Sequence, residues 1–145
     1  MFRTRVGVIS GSPAYIAPET VSGDTVDSRT DIYSLGVVLF EMLTGALPYD
    51  AHTPYDFLRE HLVGMPMTLY QGCREVRWSS SLEALVAEML AKEPADRPAS
   101  CEEISARLEG GLKLEALDVA SKGGDGSVNV SRSRFLNGFF KLLGR

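Results

Sequence analysis

The stretch from Thr30 to Gly45, TDIYSLGVVLFEMLTG, constrains the fold of this chain more than any other. Ile32, Tyr33, Leu35, Val37, Val38, Leu39, Phe40, Met42 and Leu43 cover every side of a helix. A helix that is apolar all round belongs either in a protein core or in a membrane. The run is far shorter than the roughly 20 residues that cross a bilayer. It is therefore expected to be a buried central helix over 30–44. Ser28 and Asp31 stand in capping-box spacing at its start, and Gly45 followed by Pro48 marks its end. Asp31 lies in the first turn of this oily helix and admits two readings. It is a carboxylate favoured there by the helix dipole, or a buried acid that holds a neighbouring backbone loop. The helix alone points to the first.

Length and charge set the outer bounds. The chain has 145 residues, enough for one domain of about 100 residues and a tail. A net charge of -4 gives no broad basic field, so nucleic acid is not an expected partner. Cys73 and Cys101 form no CxxC pair, and the expectation is two reduced thiols in a cytoplasmic protein. The start, MFRTRVGVIS, lacks the long apolar core and the cleavage site of a signal peptide.

Along the chain, Gly11, Pro13, Pro18 and Gly23 break regularity, which predicts an extended loop with a short helical turn near Glu19. After the central helix, Thr53 caps a helix over 54–62, with Pro54 at its first position and Tyr55, Leu58 and Leu62 as its apolar face. Gly64, Pro66 and Gly72 predict a long irregular connection. Ser80 and Glu83 then open a helix whose face is Leu82, Leu85, Val86, Met89 and Leu90, ended by Glu93-Pro94. Ser100 and Glu103 open another, carrying Ile104 and Leu108 and stopped at Gly110-Gly111. The pattern is mainly α, with almost no strand.

Residues 110–131 read as a flexible linker around Gly123-Gly124-Asp125-Gly126. Residues 132–145 change character. Phe135, Leu136, Phe139, Phe140 and Leu143 fall on one helical face, while Arg132, Arg134, Lys141 and Arg145 supply positive charge that no acid opposes. Such a segment is suited to an anionic membrane surface, or to packing back on the domain, or to no fixed structure. Gly138 weakens it as a helix by about 1 kcal/mol.

The loop before the central helix now becomes informative. Gly11-Ser12-Pro13-Ala14-Tyr15-Ile16-Ala17-Pro18-Glu19 resembles the end of a protein-kinase activation segment, with Ala17-Pro18-Glu19 as its A-P-E signature. Asp31-Ile32-Tyr33-Ser34-Leu35-Gly36 follows at the spacing of that family's F helix, and Leu43-Thr44-Gly45-Ala46-Leu47-Pro48-Tyr49 resembles the turn after it. Leu90-Ala91-Lys92-Glu93-Pro94-Ala95-Asp96-Arg97-Pro98 is similar to the segment between the H and I helices. These motifs occur in the family's order across about residues 5–109, and the closest likeness is to bacterial serine/threonine protein kinases. The fold class implied is an incomplete kinase C-lobe, the APE segment plus F, G, H and I helices, without the N-lobe sheet. Residues 1–109 would form that partial domain.

The resemblance assigns roles. Gly11, Ser12, Pro13 and Tyr15 match the substrate-binding segment of serine/threonine kinases, with Ser12 where threonine is usual. Glu19 and Arg97 match a buried ion pair between the activation segment and the last helices; a guanidinium fork suits a carboxylate bidentately. Asp31 matches the carboxylate that accepts hydrogen bonds from the catalytic-loop backbone, so with the resemblance its second reading replaces the first. Val38 and Met42 match the face beneath the adenine pocket, which is compatible with plain core packing. Thr4, between Arg3 and Arg5, matches an activation-loop phosphosite of the complete parent; in this chain the expected reading is a mobile terminal threonine.

Kinases also need a glycine-rich loop, a strand lysine, an HRD loop and a DFG motif, all before APE. No residue upstream of Ala17 can serve as the catalytic Asp, the metal-binding Asp or the ATP-anchoring Lys. Asp56-Phe57-Leu58 and Gly124-Asp125-Gly126-Ser127 imitate pieces of these motifs in the wrong places. A start at Met1, inside the activation segment, resembles a truncated or mis-started reading frame. The expected function is therefore part of a serine/threonine kinase whose complete parent uses ATP and Mg to phosphorylate protein substrates. This chain alone is expected to be inactive. The alternative is a non-catalytic, kinase-derived binding module docking through the helix at 54–62. The expected location is cytoplasmic, with peripheral membrane contact through 132–145.

Overall fold

The computed structural model describes residues 11–110. Thr4 and both the linker beyond Gly110 and the tail at 132–145 lie outside the described residues. A 3₁₀ turn, Pro13–Tyr15, leads into α1 (Pro18–Ser22), α2 (Ser28–Thr44), α3 (Pro54–Val63), α4 (Leu69–Gly72) and α5 (Ser80–Met89). A second 3₁₀ turn, Pro94–Asp96, precedes α6 at 101–110. The described residues contain no strand.

Helix α2 starts earlier than its sequence suggests. Its N-cap is Asp27, whose carboxylate accepts from the Arg29 amide at 2.8 Å, while Thr30 Oγ1 accepts from the Asp27 amide at 3.3 Å. The capping box is thus Asp27 with Thr30, not Ser28 with Asp31, and a carboxylate cap also complements the helix dipole. The helix ends where Gly45 takes a left-handed φ of 77°, a conformation that glycine adopts without a Cβ penalty.

Two clusters of buried side chains sit against α2. Tyr33, Val37 and Phe40 pack with Ala17, Leu69, Val86 and Leu90. Ile32 packs with Leu85, Met89 and Ile104. Gly36 lets α5 approach: a Cβ there would lie 2.9 Å from Met89 Cβ and 3.3 Å from Leu90 Cδ2. Gly→Ala inside a helix normally stabilises by about 1 kcal/mol. At Gly36 we expect the opposite sign, because overpacking typically costs about 1–3 kcal/mol. Chemical denaturation of Gly36→Ala checks it, and a more stable variant would contradict the close approach.

Burial of α2 is not complete. Leu35, Val38 and Met42 are 42%, 38% and 48% exposed, and with exposed Asp31 they form one stripe at i, i+4, i+7 and i+11. The expectation of a helix buried on every side therefore fails on this face. No described residue packs over it, so its apolar character has no partner within residues 11–110.

Other local expectations also shift. Helix α3 does not bury Tyr55 or Leu62, which are 75% and 38% exposed; its buried residue is His61. The His61 ring sits among the rings of Tyr33, Tyr49 and Phe57. Asp56 serves α3 as the partner of Thr53 in a capping box, which gives that DFG-like tripeptide a purely local role. The connection after Pro66 contains α4, started by the Thr68–Gln71 box. Ser79, not Ser80, caps α5, and Glu83 reaches across to the Leu69 and Tyr70 amides at 3.1 and 3.0 Å. One side chain thereby satisfies the open N-terminus of a neighbouring helix.

Candidate functional site

The segment Gly11–Glu19 lies along α2 and is held there at several points. Gly11 has φ 127°, a region closed to most L-residues. Pro13, at the first position of the 3₁₀ turn, presets its φ, and the Tyr15 amide closes the turn on the Ser12 carbonyl at 3.1 Å. Ser34 Oγ donates to the Tyr15 carbonyl at 2.8 Å. The Tyr15 hydroxyl donates to Glu41 at 2.7 Å. Glu41, together with burial, pushes the Tyr15 phenol above its ordinary value. Ser12 is exposed and its hydroxyl has no hydrogen-bond partner among the described residues. It lines an open hollow of about 250 Å³ with Gly11, Tyr15, Thr20, Thr30 and Ser34.

Behind the segment, Glu19 and Arg97 meet. Arg97 Nη1 and Nη2 donate to the two Glu19 carboxylate oxygens at 2.7 and 2.8 Å. The remaining donors go to the Arg29 carbonyl (2.9 Å), the Ala91 carbonyl (2.8 Å) and the Lys92 carbonyl (2.9 Å). All five guanidinium N–H groups are therefore used, and the plane lies over the Tyr33 ring at 4.9 Å. Thr30 Oγ1 donates to Glu19 at 2.7 Å. Burial alone would raise the Glu19 pKa, but Arg97, the backbone and Thr30 outweigh it and hold the carboxyl below its ordinary range. This one pair joins α1, the start of α2 and the loop after α5.

Asp31 is exposed on the α2 stripe and makes no hydrogen bond to a described residue, so residues 11–110 supply no loop for it to hold. Val38 and Met42 lie on the same stripe, open rather than beneath another element. Sequence reasoning missed Thr30, Ser34 and Glu41 as anchors of the segment. The available signal was weak: Ser34 and Glu41 are polar residues between apolar neighbours on the helix, and Thr30 lies among polar residues at its start.

The described residues do not fit a nucleotide–metal site. No group of three or more His, Cys, Asp or Glu side chains converges to hold a cation among them. Glu19, Glu41 and Glu83 are engaged by Arg97, Tyr15 and the α4 amides respectively. No described helix is long and apolar enough to cross a membrane.

The protein kinase domain family matches residues 3–107. Serine/threonine-protein kinase pkn3 of Myxococcus xanthus is 38% identical over 106 residues, covering 73% of this chain and 19% of that protein. Serine/threonine-protein kinase pkn2 of the same organism is 35% identical over 105 residues, 72% of this chain and 13% of that protein. Serine/threonine-protein kinase PknB of Mycobacterium tuberculosis is 36% identical over 105 residues, 72% of this chain and 16% of that protein. The chain thus spans less than a fifth of the length of these relatives.

Proposed function

Because the chain belongs to the protein kinase family, with bacterial serine/threonine kinases among its relatives, we propose that it supplies the substrate-binding segment and core scaffold of a serine/threonine protein kinase. The complete domain transfers the γ-phosphoryl group of ATP, with Mg, to a protein Ser or Thr. In that domain Ser12 faces the substrate hydroxyl and the catalytic loop. Pro13 and Tyr15 shape the surface that receives the peptide backbone. Asp31 accepts from the catalytic-loop backbone, and Val38 and Met42 support the residues under the adenine. Groups that bind ATP and metal come from outside residues 11–110, which do not fit them.

The observation that carries this reading is the double anchoring of Tyr15, by Ser34 at its carbonyl and Glu41 at its hydroxyl. It fixes the turn that follows Ser12 against α2 rather than leaving it a free loop. The test is a chimaera in which residues 3–107 replace the matching part of the M. tuberculosis PknB domain. It is expected to phosphorylate a protein substrate on Ser or Thr and not on Tyr. Ser12→Ala should lower kcat at least tenfold while Ser12→Thr retains it. A folded chimaera without activity, or indifference to Ser12→Ala, overturns the proposal. The 145-residue chain by itself should show no ATP-dependent thermal shift and no phosphotransfer.

The tail gives a separate, weaker contact. Residues 132–145 associate with anionic membrane surfaces through their basic and apolar character. The full chain should bind anionic vesicles and release them at high salt, whereas a chain ending at residue 131 should not. Equal binding to neutral vesicles would leave the cations without a role.

A further inference from the structure

Beneath α3 lies a polar relay that the function above does not use. Lys92 Nζ donates to the Tyr49 hydroxyl at 2.8 Å, and also to the Glu60 and His61 carbonyls at 2.8 Å each. The Tyr49 and Tyr33 hydroxyls are 2.9 Å apart, and the Tyr33 hydroxyl is 2.9 Å from His61 Nδ1. Tyr33 and His61 are fully buried, and Tyr49 nearly so.

An ammonium can only donate. Lys92 therefore makes Tyr49 an acceptor on one lone pair, and the relay is complete when Tyr49 donates to Tyr33, Tyr33 donates to His61 Nδ1, and the imidazole proton sits on Nε2. Nε2 is fully buried and has no partner within hydrogen-bond distance among the described residues. The backbone of Pro13 and Ala14 favours a proton on this ring, and α3 packs on the 3₁₀ turn that these residues form. The relay thus runs from the loop after α5, through α2, to the ring of His61 on α3, the helix that packs on the turn carrying Ser12 and Tyr15.

We infer that His61 is a positioning residue for the Ser12–Tyr15 turn: as a neutral imidazole with its proton on Nε2, it couples α3 and the Lys92–Tyr49–Tyr33 relay to the substrate-binding segment. A second proton would sit on Nδ1 and oppose the Tyr33 proton of this arrangement. The charged groups around it are consistent with that cost. Lys92 lies at the far end of the relay, Arg97 stacks on Tyr33 and is itself paired with Glu19, and Glu60 is the neighbouring acid. Tyr15, the titratable group of the turn, is turned away toward Glu41. Burial first, opposed by the Pro13 and Ala14 backbone and helped by Lys92, depresses the His61 pKa to about 4.

The inference rests on Gly11–Tyr15 being the substrate-binding segment, but its test reads amide exchange rather than phosphotransfer, so the two can fail separately. In the full chain, protection of the Tyr15 amide, bonded to the Ser12 carbonyl, is compared with that of the Leu90 amide, bonded to the Val86 carbonyl. His61→Gln can place a donor near Nε2, whereas His61→Asn reaches only the Nδ1 position. We expect Tyr15 protection to stay within threefold in the Gln variant and to fall at least tenfold in the Asn variant, with Leu90 unchanged relative to each other. Wild-type Tyr15 protection should also fall as pH is lowered from 6.5 towards 4, and that fall should vanish in His61→Gln. Equal Tyr15 protection in the two variants, a parallel fall at Leu90, or a pH profile that survives His61→Gln would each overturn the positioning role.

Discussion

Replacing Arg97 with methionine is expected to lower the stability of the chain by about 3–5 kcal/mol, the range seen when one partner of a buried ion pair is removed. The reason lies in what is left behind. Glu19 would keep only Thr30 and its backbone contact, in a site where its side chain is 5% exposed. The Arg29, Ala91 and Lys92 carbonyls would each lose a donor as well. Removing both charges should be milder, so Arg97→Met with Glu19→Gln is expected to recover part of the loss. Denaturant titration of the single and double variants measures this, and a single-variant loss under about 1 kcal/mol would mean that the pair holds nothing together.

The same pair sets an acid response with a definite sign. In the native chain Glu19 titrates below its ordinary value of 4.5. The unfolded chain then binds the proton first, so this contribution is present above pH 4.5 and is lost as pH falls through the folded pKa. In Arg97→Met the burial that raises the Glu19 pKa loses its main opponent. The folded variant should then take up the proton before the unfolded chain does, and this contribution to its stability should rise as pH falls toward 4.5. Because the buried His61 loses stability in both proteins as pH falls from 6.5, the expected observation is a stability gap between them that narrows as pH falls toward 4.5.

A second large effect distinguishes the two faces of α2. Phe40 is fully buried between α4 and α5, and Phe40→Ala is expected to cost about 3–5 kcal/mol. Met42, two residues on, is 48% exposed, and Met42→Gln should change the stability of the 145-residue chain by no more than about 0.5 kcal/mol. In the kinase chimaera the ranking of consequences changes. Val38→Asp or Met42→Asp should then abolish phosphotransfer, because a charge would be buried beneath the nucleotide-binding residues. If these stripe variants destabilise the 145-residue chain as strongly as Phe40→Ala, the stripe is already covered and its proposed role fails. If they leave the chimaera active, the face has no part in supporting catalysis.

Sequence alone determined those features that depend on a few neighbouring residues. Helix α2, the apolar face of α5 and the Thr53 start of α3 follow from periodicity and capping within one or two turns. The Thr68–Gln71 box was equally local, and α4 was missed because glycines and a proline around it read as loop. The Glu19–Arg97 pair came from motif resemblance, since no local rule links residues so far apart in the chain. Tertiary structure alone decided which side of α2 is buried. An all-apolar helix carries no directional signal, and only the placement of α4, α5 and α6 leaves Leu35, Val38 and Met42 open. It also decided the work of the polar residues. Ser34, Glu41, Glu83 and His61 look like ordinary helix residues in sequence, because a hydrogen bond depends on where the partner lies in space. Packing fixed those partners: Tyr15 for Ser34 and Glu41, the α4 amides for Glu83, and the Tyr33 hydroxyl for His61.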